Sequence, residues 1–263
     1  MKTVKGLHEK MGTFENANTS FHQAARCKRY TNEVLAFSMV KEEELLRATE
    51  EIQNLTYRQG EYKIFKVFEP KERLIMALPF YDRVVQHMIC NAIQPVFENG
   101  FYYHSYACRS GKGMHAASDT LYQWMYETEV KQGLRMYAFK GDISKYFASI
   151  PHDKLKDENR RYIGDKKALM LMDDIIDHNG ILPDGVGIPV GNLTSQLFAN
   201  VYGNKLDKFC KHVLHIPYFV RYMDDFIILS DDLEQLKEWV KRIEEFLENE
   251  MLLHINPKST ILY

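Results

Sequence analysis

The sequence has few of the features that mark secreted and membrane-spanning proteins. It contains four scattered cysteines and no CxxC pair: Cys27, Cys90, Cys108 and Cys210. This usage argues against a disulfide framework and a zinc site, and it is typical of the reducing cytoplasm, where we expect this protein to be located. No apolar run approaches the about 20 residues that a membrane span requires, and the N-terminus lacks the apolar core of a secretory signal. We therefore expect no membrane partner.

An excess of positive charge is also absent. The chain has 34 Lys and Arg against 36 Asp and Glu, a net charge of −2. Most nucleic-acid-binding domains are visibly basic, so this balance counts against such a function. Binding depends on the local field and not on the total charge, however, so the motifs decide the question. With 263 residues and 45% hydrophobic content, the chain can build one large core or two modest ones.

The hydrophobic pattern changes between helical and strand periodicity along the chain. Residues 1–30 are weakly patterned and predict a loop or a poorly ordered start. The periodicity predicts helices at 31–57, 80–98, 115–130 and 233–247, and strands at 62–68, 73–77, 136–143, 218–222 and 226–230. No internal repeat or low-complexity segment interrupts them. The mixture of hairpins and helices predicts an α+β fold.

Two adjacent acids separate the apolar runs at 218–222 and 226–230. A hairpin there would carry Asp224 and Asp225 at its tip. Asp is a common turn residue, and the pair has that simple interpretation. Adjacent carboxylates repel each other, however, and a bound cation relieves the repulsion. Magnesium prefers such hard oxygen ligands and shares them with phosphates.

A third acid, Asp142, also follows an apolar run, because it ends the strand predicted at 136–143. If the two elements are neighbours in one sheet, Asp142 and Asp224 face each other. Carboxylates in that arrangement hold two metal ions about 3.5–4 Å apart for phosphoryl transfer. The alternative is that Asp142 caps a following helix.

Four segments resemble motifs of reverse transcriptases, in the order of that family. Tyr222-Met223-Asp224-Asp225 is similar to the YMDD signature of motif C, and residues 139–147 are similar to motif A. Residues 71–86 and 105–113 resemble the first two conserved blocks of the bacterial enzymes. The resemblance extends over residues 62–260, and the ordered set is far more specific than any single motif.

The resemblance implies a right-hand polymerase fold of fingers and palm, with an antiparallel palm sheet flanked by helices. We expect a mostly helical extension at residues 1–60, fingers at 61–135 and a palm at 136–263 with a fingers-like helical insertion near 155–185. Because the sequence ends at Tyr263, soon after the region of motif D, we expect the thumb to be absent and processive synthesis by this chain alone to be impaired.

The reaction implied by the resemblance is attack of a primer 3′-hydroxyl on a deoxynucleoside triphosphate (dNTP), directed by a template RNA and yielding cDNA. Two Mg²⁺ ions, with Mn²⁺ as an alternative, would be held by Asp142 and Asp224. Asp225 and the carbonyl of Ile143 would support them. Lys258 resembles the motif D lysine that protonates the leaving pyrophosphate. Catalysis would come mainly from positioning and charge neutralisation.

Further residues are assigned to substrate binding. Basic side chains in the two early blocks suit triphosphate or template phosphate, although charged loops are often merely solvated: Lys71, Arg73, Arg109 and Lys112. Phe147 matches the position of an aromatic ring beneath the sugar, where a 2′-hydroxyl would collide. This position favours a DNA product, and the alternative is a buried core aromatic.

The subtype is indicated by residues 187–196, which stand where the family has motif B. Val190 follows Pro189, where many relatives have Gln, and the block ends in Ser195-Gln196 instead of Ser-Pro. Together with Ser-Tyr-Ala-Cys-Arg, this resembles the error-prone enzymes of diversity-generating retroelements, which commonly use a small basic accessory protein. Val190 and Gln196 are therefore expected at the substrate. An aliphatic Val190 offers the nucleotide no hydrogen bond, so discrimination would depend on shape; alternatively it simply packs.

Two other interpretations stay open. The chain could be a reverse transcriptase of a group II intron, a retron or a phage-defence system. It could also be a non-catalytic palm fragment that binds nucleic acid or a partner protein. The intact set of Asp142, Asp224 and Asp225 argues against the second, because a disused site is free to lose such residues.

Overall fold

The computed structural model describes residues 3–68 and 72–262. Its helices are α1 Leu7–Met11, α2 Phe14–Ala24, α3 Asn32–Met39, α4 Lys41–Gln53, α5 Phe80–Glu98, α6 Met114–Met125, α7 Tyr146–Ser149, α8 His152–Tyr162, α9 Lys166–Asp177, α10 Leu193–Lys208 and α11 Leu233–Phe246. Its strands are β1 Lys63–Val67, β2 Arg73–Ala77, β3 Ser105–Tyr106, β4 Tyr137–Asp142, β5 Tyr218–Tyr222, β6 Asp225–Ser230 and β7 Thr260–Leu262. The predicted α+β class is confirmed.

The chain forms two compact units, each assembled from two separate stretches. The first comprises Met1–Gly100 and His152–Phe198, and the second comprises Phe101–Pro151 and Ala199–Tyr263. Helix α10 runs across the boundary at residue 198, so its later turns belong to the second unit. None of the helices in the described part of the chain combines the length and the apolarity needed to cross a membrane.

The first unit is mainly helical, with α5 at its centre. The helix predicted at residues 80–98 is confirmed, and its apolar face is fully buried at Val84, Val85, Met88, Ile89 and Ile93. The single helix predicted at 31–57 is interrupted at Val40, which separates α3 from α4.

The loop predicted for residues 1–30 is wrong, because α1 and α2 form there. Thr13 caps α2 by accepting a hydrogen bond from the Asn16 backbone N–H at 3.2 Å, a common N-cap contact. Asn16 also donates from its side chain to the Met88 carbonyl at 2.9 Å, which joins α2 to α5. Ala17 and Phe21, one turn apart, are buried. Polar neighbours hide this short apolar stripe in the sequence, and packing against α5 stabilises it.

The first unit also contains the predicted two-stranded hairpin. Strands β1 and β2 pair antiparallel from Lys63 opposite Ala77 to Val67 opposite Arg73. Lys71 lies outside the described residues, so the structure says nothing about its predicted role.

The second unit is built on a five-stranded sheet in the order β3-β5-β6-β4-β7. Its pairs are antiparallel except that β3 runs parallel to β5. The predicted antiparallel sheet is therefore confirmed apart from one short edge strand. Helix α6 covers one face through a cluster of Tyr106, Ala117 and Val220. Arg221, the residue after Val220 on β5, instead contacts Asp207 of α10.

Candidate active site

The β5–β6 hairpin has a tighter turn than the sequence predicts. Tyr222 pairs with Asp225, so only Met223 and Asp224 form the loop, and Asp225 is the first residue of β6. Met223 has φ 58°, in the left-handed region that is costly for a residue other than glycine. The turn must therefore be held by contacts from its surroundings.

Asp142 ends β4 beside this turn. Its Cα partner across the β4–β6 pair is Asp225, and the next residue, Ile143, donates its N–H to the Asp224 carbonyl at 3.2 Å. Directly opposed residues in an antiparallel pair have neighbouring Cβ atoms. Strand pairing thus brings Asp142, Asp224 and Asp225 to the same end of the sheet, with Asp225 as the direct neighbour.

The segment after α11 holds Asp142 in place. Asn256 donates from Nδ2 to Asp142 Oδ2 at 2.6 Å and from its backbone N–H to the Asp142 carbonyl at 2.7 Å. The Asp142 N–H donates to Ser259 Oγ at 3.1 Å. Helix α7 begins after Lys145 without a side-chain cap, so the interpretation of Asp142 as a helix cap is wrong. Neither Asn256 nor Ser259 was predicted, although both flank Lys258.

The chemistry of these donors suits magnesium. Asp142 and Asp224 are half-buried, and they offer hard carboxylate oxygens beside the Ile143 backbone. Within the described ranges, no group of three or more His, Cys, Asp or Glu side chains is arranged to hold a metal ion, so the three carboxylates do not form a closed cage. Mg²⁺ is usually bound by one or two carboxylates together with substrate phosphates and water, and a cage is not required. The residues therefore fit a cation that is completed by substrate.

Lys258 lies within this segment, between Asn256 and Ser259. Its backbone N–H donates to Asn256 Oδ1 at 3.1 Å, and its side chain is exposed. A role as proton donor stays a prediction.

Arg109 and Lys112, the two cations of the second early block, make hydrogen bonds to the backbone of their own loop. Arg109 Nη1 donates to the carbonyls of Tyr102 at 3.0 Å and Ser105 at 2.6 Å. Lys112 Nζ donates to the Tyr103 carbonyl at 2.8 Å and lies 3.4 Å from the centre of the Tyr103 ring. Any phosphate bound by these side chains would compete with those contacts, so their predicted role in substrate binding stays a prediction.

Phe147 lies on the short helix α7, where it is half-buried and packs edge-on against Tyr146. Tyr146 is fully buried and donates to the Ala199 carbonyl at 2.7 Å. Burial raises the pKa of the Tyr146 hydroxyl above its ordinary value. Tyr146 is therefore a neutral structural anchor, whereas the half-buried Phe147 stays partly accessible to solvent.

The remaining predicted residues belong to the first unit. Arg73 is exposed at the start of β2, and Gln196 is half-buried on α10. The half-buried Val190 accepts a hydrogen bond at its carbonyl from the Met76 N–H of β2 at 3.1 Å. Asn192 donates to Tyr62 Oη at 2.8 Å, and α10 begins at the next residue, Leu193. The motif B segment is thus tied to the β1–β2 hairpin.

Comparisons with known proteins agree with this architecture. Protein YkfC of Escherichia coli is 28% identical over 134 residues, which cover 49% of this chain and 34% of that protein. An uncharacterized 91 kDa protein in the cob intron of Schizosaccharomyces pombe is 29% identical over 137 residues, 50% of this chain and 16% of that protein. This chain therefore spans about a third or less of the length of these relatives.

Solved structures show the same fold at low identity. Telomerase from Candida albicans in complex with a fragment of telomeric RNA has a TM-score of 0.58 at 11% identity, covering 79% of this chain and 43% of that chain. A partial Cas6-RT-Cas1–Cas2 complex has a TM-score of 0.52 at 17% identity, covering 93% of this chain and 43% of that chain. The family model for reverse transcriptase (RNA-dependent DNA polymerase) matches residues 66–263. A match over most of the sequence identifies the relationship directly: the chain belongs to the reverse transcriptase family.

Proposed function

We propose that this protein is an RNA-directed DNA polymerase, which extends a primer 3′-hydroxyl with dNTPs along a template RNA. The observation that carries the proposal is the meeting of Asp142 with the Asp224–Asp225 hairpin at one end of the sheet. Membership of the reverse transcriptase family supports it. Two Mg²⁺ ions would supply charge neutralisation of the triphosphate and activation of the attacking oxygen.

The protein's own residues would prepare the site for this reaction. Asp142 and Asp224 would hold the ions, with Asp225 and the Ile143 carbonyl in support. Asn256 keeps one oxygen of Asp142 hydrogen-bonded at 2.6 Å, so that carboxylate is oriented before substrate arrives. Such preorganisation lowers the barrier because little rearrangement is needed during the reaction.

Other residues would select and orient the substrates. Phe147 would lie beneath the sugar and reject a 2′-hydroxyl, Lys258 would donate a proton to pyrophosphate, and Arg109 and Lys112 would bind phosphate. Arg73, Lys71 and Gln196 would contact template or nucleotide, as their motifs suggest.

Single-nucleotide incorporation tests the proposal, because it does not depend on processive synthesis. A labelled DNA primer annealed to RNA should gain one nucleotide when the matching dNTP and Mg²⁺ are added, and none in the presence of a chelator. The matching ribonucleotide should be a far poorer substrate if Phe147 excludes its 2′-hydroxyl. No incorporation with any matching dNTP in the presence of Mg²⁺ would refute the proposed activity.

We further propose that the enzyme is of the diversity-generating type and copies template adenines inaccurately, together with a small basic accessory protein. Val190 and the Ser195-Gln196 ending of motif B support this subtype. The Val190→Gln variant should misincorporate less often opposite adenine, because an amide adds hydrogen bonds that an aliphatic side chain lacks. Sequencing of cDNA products measures the change, and Val186→Gln in the same loop is the matched control. Equal error rates in wild type and Val190→Gln would contradict the role of Val190.

An intron-associated reverse transcriptase is the second candidate. The relative in Schizosaccharomyces pombe is described as a protein in an intron, and it matches half of this chain. A retroelement of the diversity-generating type would instead lie beside near-repeats that differ chiefly at adenines. Sequencing the genomic neighbourhood separates these two candidates.

A further inference from the structure

A fully buried ion pair lies behind the catalytic turn. Arg221 is on β5, three residues before Asp224, and Asp207 is on α10; both side chains are 0% exposed. The contact is bidentate, with Arg221 Nε 2.6 Å from Asp207 Oδ1 and Nη2 2.8 Å from Oδ2. Two parallel charge-assisted hydrogen bonds fix the plane of the guanidinium as well as its position.

Arg221 makes further hydrogen bonds, to the turn and to β3. Nη1 donates to the Met223 carbonyl at 2.9 Å, and Nη2 donates to Ser105 Oγ at 2.9 Å. Nη1 also approaches Asn200 Oδ1 at 3.4 Å, and Asn200 Nδ2 donates to the Ala107 carbonyl at 3.0 Å. One guanidinium thus joins α10, β3 and the hairpin turn.

Helix α10 leaves space for the Arg221 guanidinium at Gly203. A Cβ atom added at Gly203 would lie 2.6 Å from Arg221 Nη1 and 2.9 Å from Tyr146 Oη. The missing side chain at Gly203 therefore makes room for the guanidinium beside α10. Lysine would not replace arginine here, because its single ammonium lacks the planar fork that reaches several acceptors at once.

Stability alone does not explain such a pair. Burial raises the pKa of the Asp207 carboxyl, while the neighbouring Arg221 acts in the opposite direction. Two apolar side chains of similar volume commonly match or exceed a buried ion pair in stability. Among the hydrogen bonds of Arg221 that apolar side chains could not reproduce, the one to the Met223 carbonyl reaches the turn, and the positive φ of Met223 needs external support.

We propose that Arg221, held by Asp207, is a positioning residue that fixes the Met223–Asp224 turn and so aims the Asp224 carboxylate. This inference rests on the proposed polymerase activity. The strained turn keeps its geometry because its carbonyl is bound from behind, and a displacement of about 1 Å at a reacting group costs about 100-fold in rate.

The test compares a paired replacement with a matched control. Arg221→Met alone leaves Asp207 buried without its cation and is expected to fold poorly. The double variant Arg221→Met with Asp207→Leu removes both charges with shapes close to the originals. Tyr202→Phe is the control, because it removes a different buried hydrogen bond from the same helix, the one to the Met251 carbonyl, and keeps the bond from Arg221 to Met223.

The double variant should melt near the wild-type temperature, yet its kcat should fall about 100-fold while KM for the dNTP stays within about threefold. Amide hydrogen exchange in residues 222–226 and at Ile143 should become faster. Tyr202→Phe should leave kcat and exchange at the turn unchanged. A stable double variant with wild-type kcat and exchange would overturn the inference.

The exchange measurement also separates the two proposals. If the wild type incorporates no nucleotide, the proposed function fails, and exchange at the turn alone decides the role of Arg221. Faster exchange in the stable double variant then supports the positioning role, and unchanged exchange refutes it.

Discussion

Replacing Asp224 with asparagine should lower the rate of nucleotide incorporation about 1,000-fold or more while leaving the protein folded. Asparagine has the same shape, so the turn keeps its backbone, but the negative charge that would hold a cation is lost. Removing one of three neighbouring carboxylates also relieves repulsion, so the melting temperature should stay level or rise. Single-turnover incorporation at saturating Mg²⁺, with circular dichroism for the fold, measures both effects.

Asp231→Asn provides the matched control for this prediction. Asp231 is an exposed acid just beyond β6, and its replacement changes the net charge by the same amount. It should leave the rate within about twofold, as expected for a surface substitution away from the site. If Asp224→Asn kept more than a tenth of the wild-type rate, Asp224 would not be a principal metal ligand and the proposed mechanism would be wrong.

The second large effect concerns Gly141, the residue before Asp142. Gly141 and Phe226 are Cα partners, and a Cβ atom added at Gly141 would lie 2.3 Å from Phe226 Cζ. Phe226 is 0% exposed, so its ring is enclosed by other parts of the protein. Gly141→Ala should therefore lower the free energy of unfolding by about 1–3 kcal/mol, the usual cost of overpacking.

This variant should also slow nucleotide incorporation, because Phe226 follows Asp225 on β6. Urea denaturation measures the stability. Adding Phe226→Leu should restore part of the lost stability, because leucine lacks the ring that the new methyl group contacts. Gly113→Ala is the control, since nothing lies within 4 Å of an added Cβ at Gly113. A Gly141→Ala variant as stable as Gly113→Ala would show that the ring and strand adjust without cost.

Much of the local structure could be predicted because its pattern is periodic. The helix at 80–98 has an uninterrupted apolar face, and the strands at 73–77 and 218–222 have clear apolar runs with turn residues beside them. The prediction failed at residues 1–30, where contacts to α5 stabilise helices with a short and broken apolar stripe. Tertiary packing there overrides a weak local preference.

The candidate site, too, could be predicted from the sequence only in part. Asp142, Asp224 and Asp225 were found from sequence because acids that follow apolar runs are conspicuous, and the motif order indicated the family. Asn256 was missed because an exposed-looking polar segment gives no sign of which strand it will contact. The tight two-residue turn was missed because register depends on strand pairing and cannot be read from one strand.

The sequence by itself determined the family and the α+β class and named the three acids as candidate site residues, since each depends on residue types in chain order. Only the tertiary structure decided that Asp142 is opposite Asp225, that Gly141 makes room for Phe226, and that Arg221 reaches the Met223 carbonyl. The first two contacts join residues that are far apart in the chain, and the third depends on how β5 and α10 hold the guanidinium. All of them arise from register and close packing, which local sequence does not encode. An arginine in an apolar strand is unusual in the sequence, and its buried partners make it a candidate support for the turn that carries Asp224.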